Sequence, residues 1–219
     1  MTVIDARRVR DEEIVAAAAR ALSNGDLVII PTDTVYGLAA RADREDAVRR
    51  VFEAKRRPPD LPLPVLVPDV AAMNRYAHPS PAAVMLARAF WPGPLTIVVP
   101  RSEAIPPWVT AGEDTVGLRQ PDHALAIAIL RAVPFPVAVT SANISGVSTA
   151  PTAAECAAEL ALPVALVIEA GPLRGKPSTV LAFTDDDVCI LRQGPISEMQ
   201  IRAVLAGRPR PEEGVSQND

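Results

Sequence analysis

Four apolar runs in this chain end in hydroxyls or cations, and any chemistry has to be sought at those four junctions. LVII at 27–30 runs into Thr32, Asp33 and Thr34; VGL at 116–118 ends at Arg119; VAV at 137–139 runs into Thr140, Ser141, Ala142 and Asn143; CIL at 189–191 ends at Arg192. Ligands of open α/β sheets sit outside the strand ends, so the four together predict a polar floor assembled from several strands. Each piece also has a plain structural reading. Thr and Asp after a strand make turns and helix caps routinely. Lys55 and Arg57, at a helix end before Pro58 and Pro59, either grip one anion, the Arg bidentately and the Lys as a point charge, or complement the helix dipole. The hydroxyl-rich TSANISG at 140–146 either wraps phosphate oxygens or caps a turn. Arg119 and Arg192 are either ion-pair partners or anion ligands, because an unpaired cation closing an apolar strand is costly. Ser178 and Thr179 open a further strand after Gly175, Lys176 and Pro177 and add hydroxyls.

The elements that must position these groups alternate along the chain. Acidic openings, Ala-rich stretches and Gly or Pro stops predict helices over 11–22, 44–55, 81–90, 124–131, 152–160 and 197–205. Short apolar, β-branched runs predict strands over 27–30, 63–67, 95–99, 115–118, 137–139, 164–168, 179–183 and 188–192. Interleaving of this kind argues an α/β layer fold. One domain over 1–207 is expected, followed by a polar, Pro/Gly-bearing tail at 208–219.

Composition narrows the function classes. The chain has 219 residues, 49% hydrophobic, and a net charge of -4, whereas a protein that coats nucleic acid is usually basic. Aromatics make up 4%, too few to supply a base-stacking platform. Cys156 and Cys189 stand far apart in no metal-like spacing, which fits a reducing cytoplasm. Neither a signal peptide nor a membrane-spanning apolar run is expected. The G-x-x-x-x-G-K-[ST] loop and the G-x-S-x-G elbow are both missing from the sequence, and His78 and His123 belong to no catalytic or metal pattern.

Taken in order, PTDTVYGL, the K-x-R of Lys55 and Arg57, FWPGPLTIVV, TVGLRQPDH, the S-x-N of TSANISG, PSTV and LRQGPI resemble the YrdC-like threonylcarbamoyl-AMP synthases in their short, single-domain form. The resemblance spans roughly residues 10 to 205. It implies the YrdC-type α/β fold: a twisted mixed sheet with flanking helices and a concave basic cavity. It also implies a reaction. Bicarbonate and L-threonine give N-carboxythreonine, which attacks the α-phosphate of ATP and releases pyrophosphate. The threonylcarbamoyl-adenylate then passes to a transferase complex that modifies tRNA.

Carried over position by position, the resemblance puts Thr34, Arg119 and Ser178 around L-threonine, with Arg119 on its carboxylate. It puts Lys55, Arg57, Thr115, Ser141, Asn143, Thr149 and Arg192 around ATP, with Lys55 and Arg57 as the catalytic pair. Mg²⁺ is expected to arrive with ATP and to need no protein cage; no other metal and no organic cofactor are implied. Many members carry an Asn near ATP and a His near threonine where this chain has Leu61 and Leu66, so its amino-acid pocket is expected to be more apolar. Two rivals remain: a carbamoyl-adenylate-forming enzyme on the same fold, and a module that binds tRNA or double-stranded RNA without catalysis.

Overall fold

The computed structural model describes residues 1–184 and 188–207; the polar tail expected at 208–219 lies outside the described residues. Along the chain run β1 (Thr2–Asp5), α1 (Asp11–Ser23), β2 (Val28–Ile30), β3 (Gly37–Arg41), α2 (Glu45–Lys55), β4 (Val65–Leu66), α3 (Met73–Tyr76), α4 (Pro81–Phe90), β5 (Leu95–Pro100), β6 (Thr115–Arg119), α5 (Ala124–Arg131), β7 (Val137–Ser141), α6 (Ala153–Glu159), β8 (Leu166–Glu169), β9 (Thr179–Phe183), β10 (Val188–Arg192) and α7 (Glu198–Leu205). The ten described strands form one twisted mixed sheet in the order β1-β8-β2-β3-β7-β4-β6-β5-β9-β10. The α/β fold with flanking helices is therefore the observed one.

Local sequence explains most of these boundaries. Ser80 accepts from Ala83 N at the start of α4, with Pro81 in the first turn. Thr152 and Glu155 cap α6 reciprocally, as Ser197 and Gln200 cap α7. Pro64 falls inside the strand expected over 63–67, which is confined to Val65 and Leu66, since proline has no N–H for the ladder.

The sheet is covered on both faces. Ile14, Ala18 and Leu22 of α1 and Leu125, Ala126 and Ile129 of α5 bury Val28, Ile30 and Val139 on one side. Residues of α2, α4, α6 and α7 bury Leu27, Ile29, Leu38, Ile97, Leu118 and Leu181 on the other. Covering on both faces is why LVII is apolar at every position. Alternation then decides the site: with Ile97, Leu118 and Leu181 turned into the second core, their neighbours Thr96, Val98, Gly117, Arg119 and Val180 face the first side. There they line open space instead of helix.

Candidate active site

That space is a cavity of about 530 Å³, within the usual range for a small-molecule site. All four strand exits reach it: Thr32 and Thr34 after β2, Arg119 at the end of β6, Thr140 and Ser141 at the end of β7, and Arg192 at the end of β10. Arg57, Thr115 and Ser178 line it as well, while Leu61 and Leu191 sit exposed at its rim. Among the described residues its lining holds three arginines and no carboxylate.

At one end Arg119 is 7% exposed, and every nitrogen of its guanidinium is held. Nε donates to Gly93 O (3.0 Å), Nη1 to Thr34 Oγ1 (3.1 Å) and Nη2 to Asp33 Oδ1, an oxygen that also accepts from Asp122 N (3.1 Å). Burial pulls the Arg119 pKa below its ordinary value, the Asp33 carboxylate works against that pull, and the charge of Arg192 adds a little to it. Three of the five N–H donors are accounted for, so two remain for a ligand, in a fork that Asp33, Thr34 and Gly93 have already oriented.

Thr34 is equally constrained. Thr32 Oγ1 donates to Val35 O (2.6 Å), so the proton in the Thr32–Thr34 hydroxyl bond (3.0 Å) comes from Thr34. Thr34 Oγ1 gives its proton to Thr32, accepts from Arg119, and keeps one lone pair toward the cavity. Gly175 packs over the same segment so closely that a Cβ there would stand 2.3 Å from Thr34 O.

At the other end Arg57 and Arg192 have neutral partners. Arg57 donates to Leu61 O (3.2 Å) and Pro62 O (2.8 Å). Arg192 donates to Ser178 O and Ser178 Oγ, both at 3.1 Å. Among the described residues neither forms an ion pair. Burial, and next the charge of Arg192, lowers the Arg57 pKa from its ordinary value. Burial alone lowers the pKa of Arg192.

The sequence leaves open whether Lys55 and Arg57 point at one anion, and the structure separates them. Arg56 closes α2 in the left-handed conformation (φ 49°), with Arg57 N bonded back to Phe52 O (2.9 Å). That reversal carries Arg57 to the cavity and leaves Lys55 inside, 1% exposed. The Lys55 ammonium donates to the backbone carbonyls of Ser141 and Asn143, the latter at 2.7 Å. Burial first, then the Arg57 charge, lowers its pKa from 10.5 to about 8. Asn143 donates to Ile144 O (2.8 Å) and Val147 O (2.7 Å), and Thr149 Oγ1 donates to Asn143 Oδ1 (3.1 Å). Lys55, Asn143 and Thr149 thus brace the 141–149 loop and are not among the cavity's lining residues, whereas Ser141 is.

Sequence reasoning passed over Thr96, which is 4% exposed on the cavity wall. Its signal was a lone hydroxyl in the apolar strand LTIVV. Leu66 forms part of the same wall, in register beside Arg119 on the parallel neighbour strand. Among the described residues no group of three His, Cys, Asp and Glu is placed to hold a metal ion, and no helix is long and apolar enough to cross a membrane. Cys156 and Cys189 are both free thiols.

Comparison with known proteins identifies relatives in sequence and fold. The Sua5/YciO/YrdC family model, described as telomere recombination, matches residues 20–194. A threonylcarbamoyl-AMP synthase of Bacillus subtilis is 42% identical over 93% of this chain, which spans 59% of that longer protein. One of Shigella flexneri is 31% identical over 83% of this chain and 96% of its own length. The crystal structure of P. abyssi Sua5 complexed with L-threonine matches with a TM-score of 0.87 at 38% identity, over 95% of this chain and 62% of that one.

Proposed function

The chain belongs to the Sua5/YciO/YrdC family, and from that premise we propose that it joins L-threonine, bicarbonate and ATP into threonylcarbamoyl-adenylate, releasing pyrophosphate. The observation that carries the proposal is the uneven treatment of three arginines in one cavity. Arg119 is neutralised by Asp33 and fully oriented, which suits a single carboxylate. Arg57 and Arg192 rest on neutral oxygens and, among the described residues, lack counter-ions, which suits a polyphosphate.

In this reading the substrate carboxylate takes the two remaining N–H groups of Arg119. The free lone pair of Thr34 accepts from the amino-acid nitrogen or hydroxyl. That nitrogen bonds to the carbon of bicarbonate with loss of water, giving a carbamate. A carbamate oxygen then attacks the α-phosphorus of ATP, and the bond to the bridging oxygen of the β-phosphate breaks, releasing pyrophosphate. In-line displacement at phosphorus depends on positioning and charge neutralisation more than on a strong base. Arg57 and Arg192 supply the neutralisation, and Ser141 and Thr115 bound the nucleotide end. Lys55, Asn143 and Thr149 serve ATP by holding the loop that carries Ser141. Among the described residues the lining offers no carboxylate for a metal, so Mg²⁺ would enter on the phosphates of ATP. The product would be handed to a tRNA threonylcarbamoyl transferase complex in the cytoplasm.

The test is a pyrophosphate-release assay in which threonine, bicarbonate and ATP are left out one at a time. Release is expected to need all three. Release that ignores threonine but responds to carbamoyl phosphate would move the chain to carbamoyl adenylation. Salt-dependent tRNA binding without ATP turnover would make it an RNA-binding module.

A further inference from the structure

We infer that Thr96 is a positioning residue for the amino-acid end of the cavity, acting through Ser178; the inference rests on the function proposed above. Thr96 Oγ1 and Ser178 Oγ are 2.8 Å apart, and both residues are 4% exposed on the cavity wall. Ser178 Oγ also accepts from Arg192 Nη2 at 3.1 Å. Two hydroxyl protons serve this pair, and one lies in the bond between them. Among the described residues no acceptor takes the other, so the pair keeps one O–H for an acceptor oxygen of a ligand.

The complement lines the same cavity. Thr34 has given away its proton and can only accept, whereas the Thr96–Ser178 pair has a proton to give. A substrate that carries both N–H or O–H donors and anionic oxygens, as threonine and its carbamate do, satisfies the two sides at once. A buried hydroxyl without fixed partners rotates among three staggered positions. Ser178 is fixed between Arg192 on one side and Thr96 on the other.

Thr96 can hold Ser178 because Thr96 is itself held. Its strand, β5, pairs in parallel with β9, with Thr96 opposite Val180. Its methyl packs against the bare α-carbon of Gly117: a Cβ at Gly117 would lie 3.1 Å from Thr96 Cγ2 and 3.7 Å from Pro64 Cβ. Gly117 thus leaves the space that lets the methyl turn one way and the hydroxyl the other. Arg192 reaches Ser178 from the nucleotide end, so the chain Arg192–Ser178–Thr96 also links the two halves of the site.

The experiment uses Thr96→Val, which keeps the shape and removes the hydroxyl, and Thr96→Ser, which keeps the hydroxyl and removes the methyl. Steady-state pyrophosphate release is measured with each substrate varied, beside calorimetric titration of L-threonine. Thr96→Val is expected to raise the threonine KM and Kd by about 3- to 10-fold, the worth of one neutral hydrogen bond, with the ATP KM changed less than about twofold. Thr96→Ser is expected to restore most of the loss. If the Val variant does not fold, Thr96→Ala removes the hydroxyl without adding bulk and carries the same expectation. A folded variant with an unchanged threonine KM, a defect confined to ATP, or a Ser variant as weak as the Val would each overturn the inference. Wild-type protein that makes no threonylcarbamoyl-adenylate but binds another amino acid would sink the proposed function instead, and the calorimetric comparison would still judge Thr96.

Discussion

The two ends of the cavity handle positive charge in opposite ways. Around Arg119 the fold is complete before any ligand arrives: a carboxylate, a hydroxyl and a carbonyl hold the guanidinium, and Asp33 cancels its charge. Around Arg57 and Arg192 the fold is unfinished, since both cations rest on neutral oxygens and, among the described residues, neither has a counter-ion. A finished end gives geometric selectivity toward a small anion at little cost in affinity for water. An unfinished end leaves buried positive charge that a polyanion neutralises on binding. Mutations should therefore affect stability and activity separately, according to the end they strike.

The sharpest separation is expected at Arg57. Arg57→Ala should lower kcat/KM by about 10²-fold or more, since it removes a cation aimed at developing phosphate charge. Its urea midpoint should stay level or rise, because the Arg57 charge no longer weighs on the buried Lys55 ammonium. Lys55→Ala should lose comparable activity but also lose stability, as two buried carbonyls are left without a donor, at about 1–3 kcal/mol each. Normal turnover in folded Arg57→Ala would erase the distinction between the ends.

At the finished end the order reverses. Arg119→Ala leaves the partly buried Asp33 carboxylate with only the Asp122 N–H and should cost about 1–3 kcal/mol of stability in urea denaturation. Arg119→Lys keeps the charge but not the planar fork, and should raise the threonine KM by about tenfold while sparing ATP. An effect of Arg119→Lys confined to ATP would assign this residue to the nucleotide.

Leu66 sharpens the comparison further, because it makes the finished end apolar on one side. It is 5% exposed, beside Arg119 in register, and cannot hydrogen-bond a substrate hydroxyl. A pocket that only tolerates a hydroxyl discriminates by about 10²-fold or less. Serine and valine should therefore compete measurably with threonine, and Leu66→His should widen the gap to valine by about tenfold. Exclusion of valine by several orders of magnitude in wild type would mean that the free lone pair of Thr34 reads the hydroxyl.

The residues that end the apolar strands were legible because burial forces a polar group there to have a purpose. Thr34, Arg119, Ser141 and Arg192 could be named from the sequence and all reach one cavity. Their neighbours were not legible for three different reasons. β3 carries GLAAR, small residues with no β-branched signal, and is a strand because β2 and β7 pair with it from both sides. The fates of Lys55 and Arg57 turned on Arg56 adopting a left-handed conformation, which a non-glycine residue seldom does and no spacing rule foretells. Thr96 was hidden because its meaning comes from Ser178, 82 positions away.

The smallest expected effect is a pH dependence at the junction of the two ends. The Lys55 ammonium titrates near 8 in the folded protein and at 10.5 when exposed. Below about pH 8 both states hold the proton, and the fold bears the full cost of the buried charge. Between about 8 and 10.5 the unfolded chain binds more protons, so this group's contribution to stability rises with pH. Nucleotide binding should move the opposite way. Over that window the unfinished end loses one of its positive charges, and affinity for a non-hydrolysable ATP analogue should fall by about three- to tenfold. A neutral amine still has two N–H groups for the carbonyls of Ser141 and Asn143, so the loop stays in place and the loss is electrostatic. Calorimetric titration between about pH 7 and pH 10, with urea denaturation at the same points, reads both signs. Lys55→Met should flatten both curves. An ATP-analogue affinity that stays flat in wild type, or the same slope in Lys55→Met, would show that Lys55 lends the nucleotide end no charge and only braces its loop.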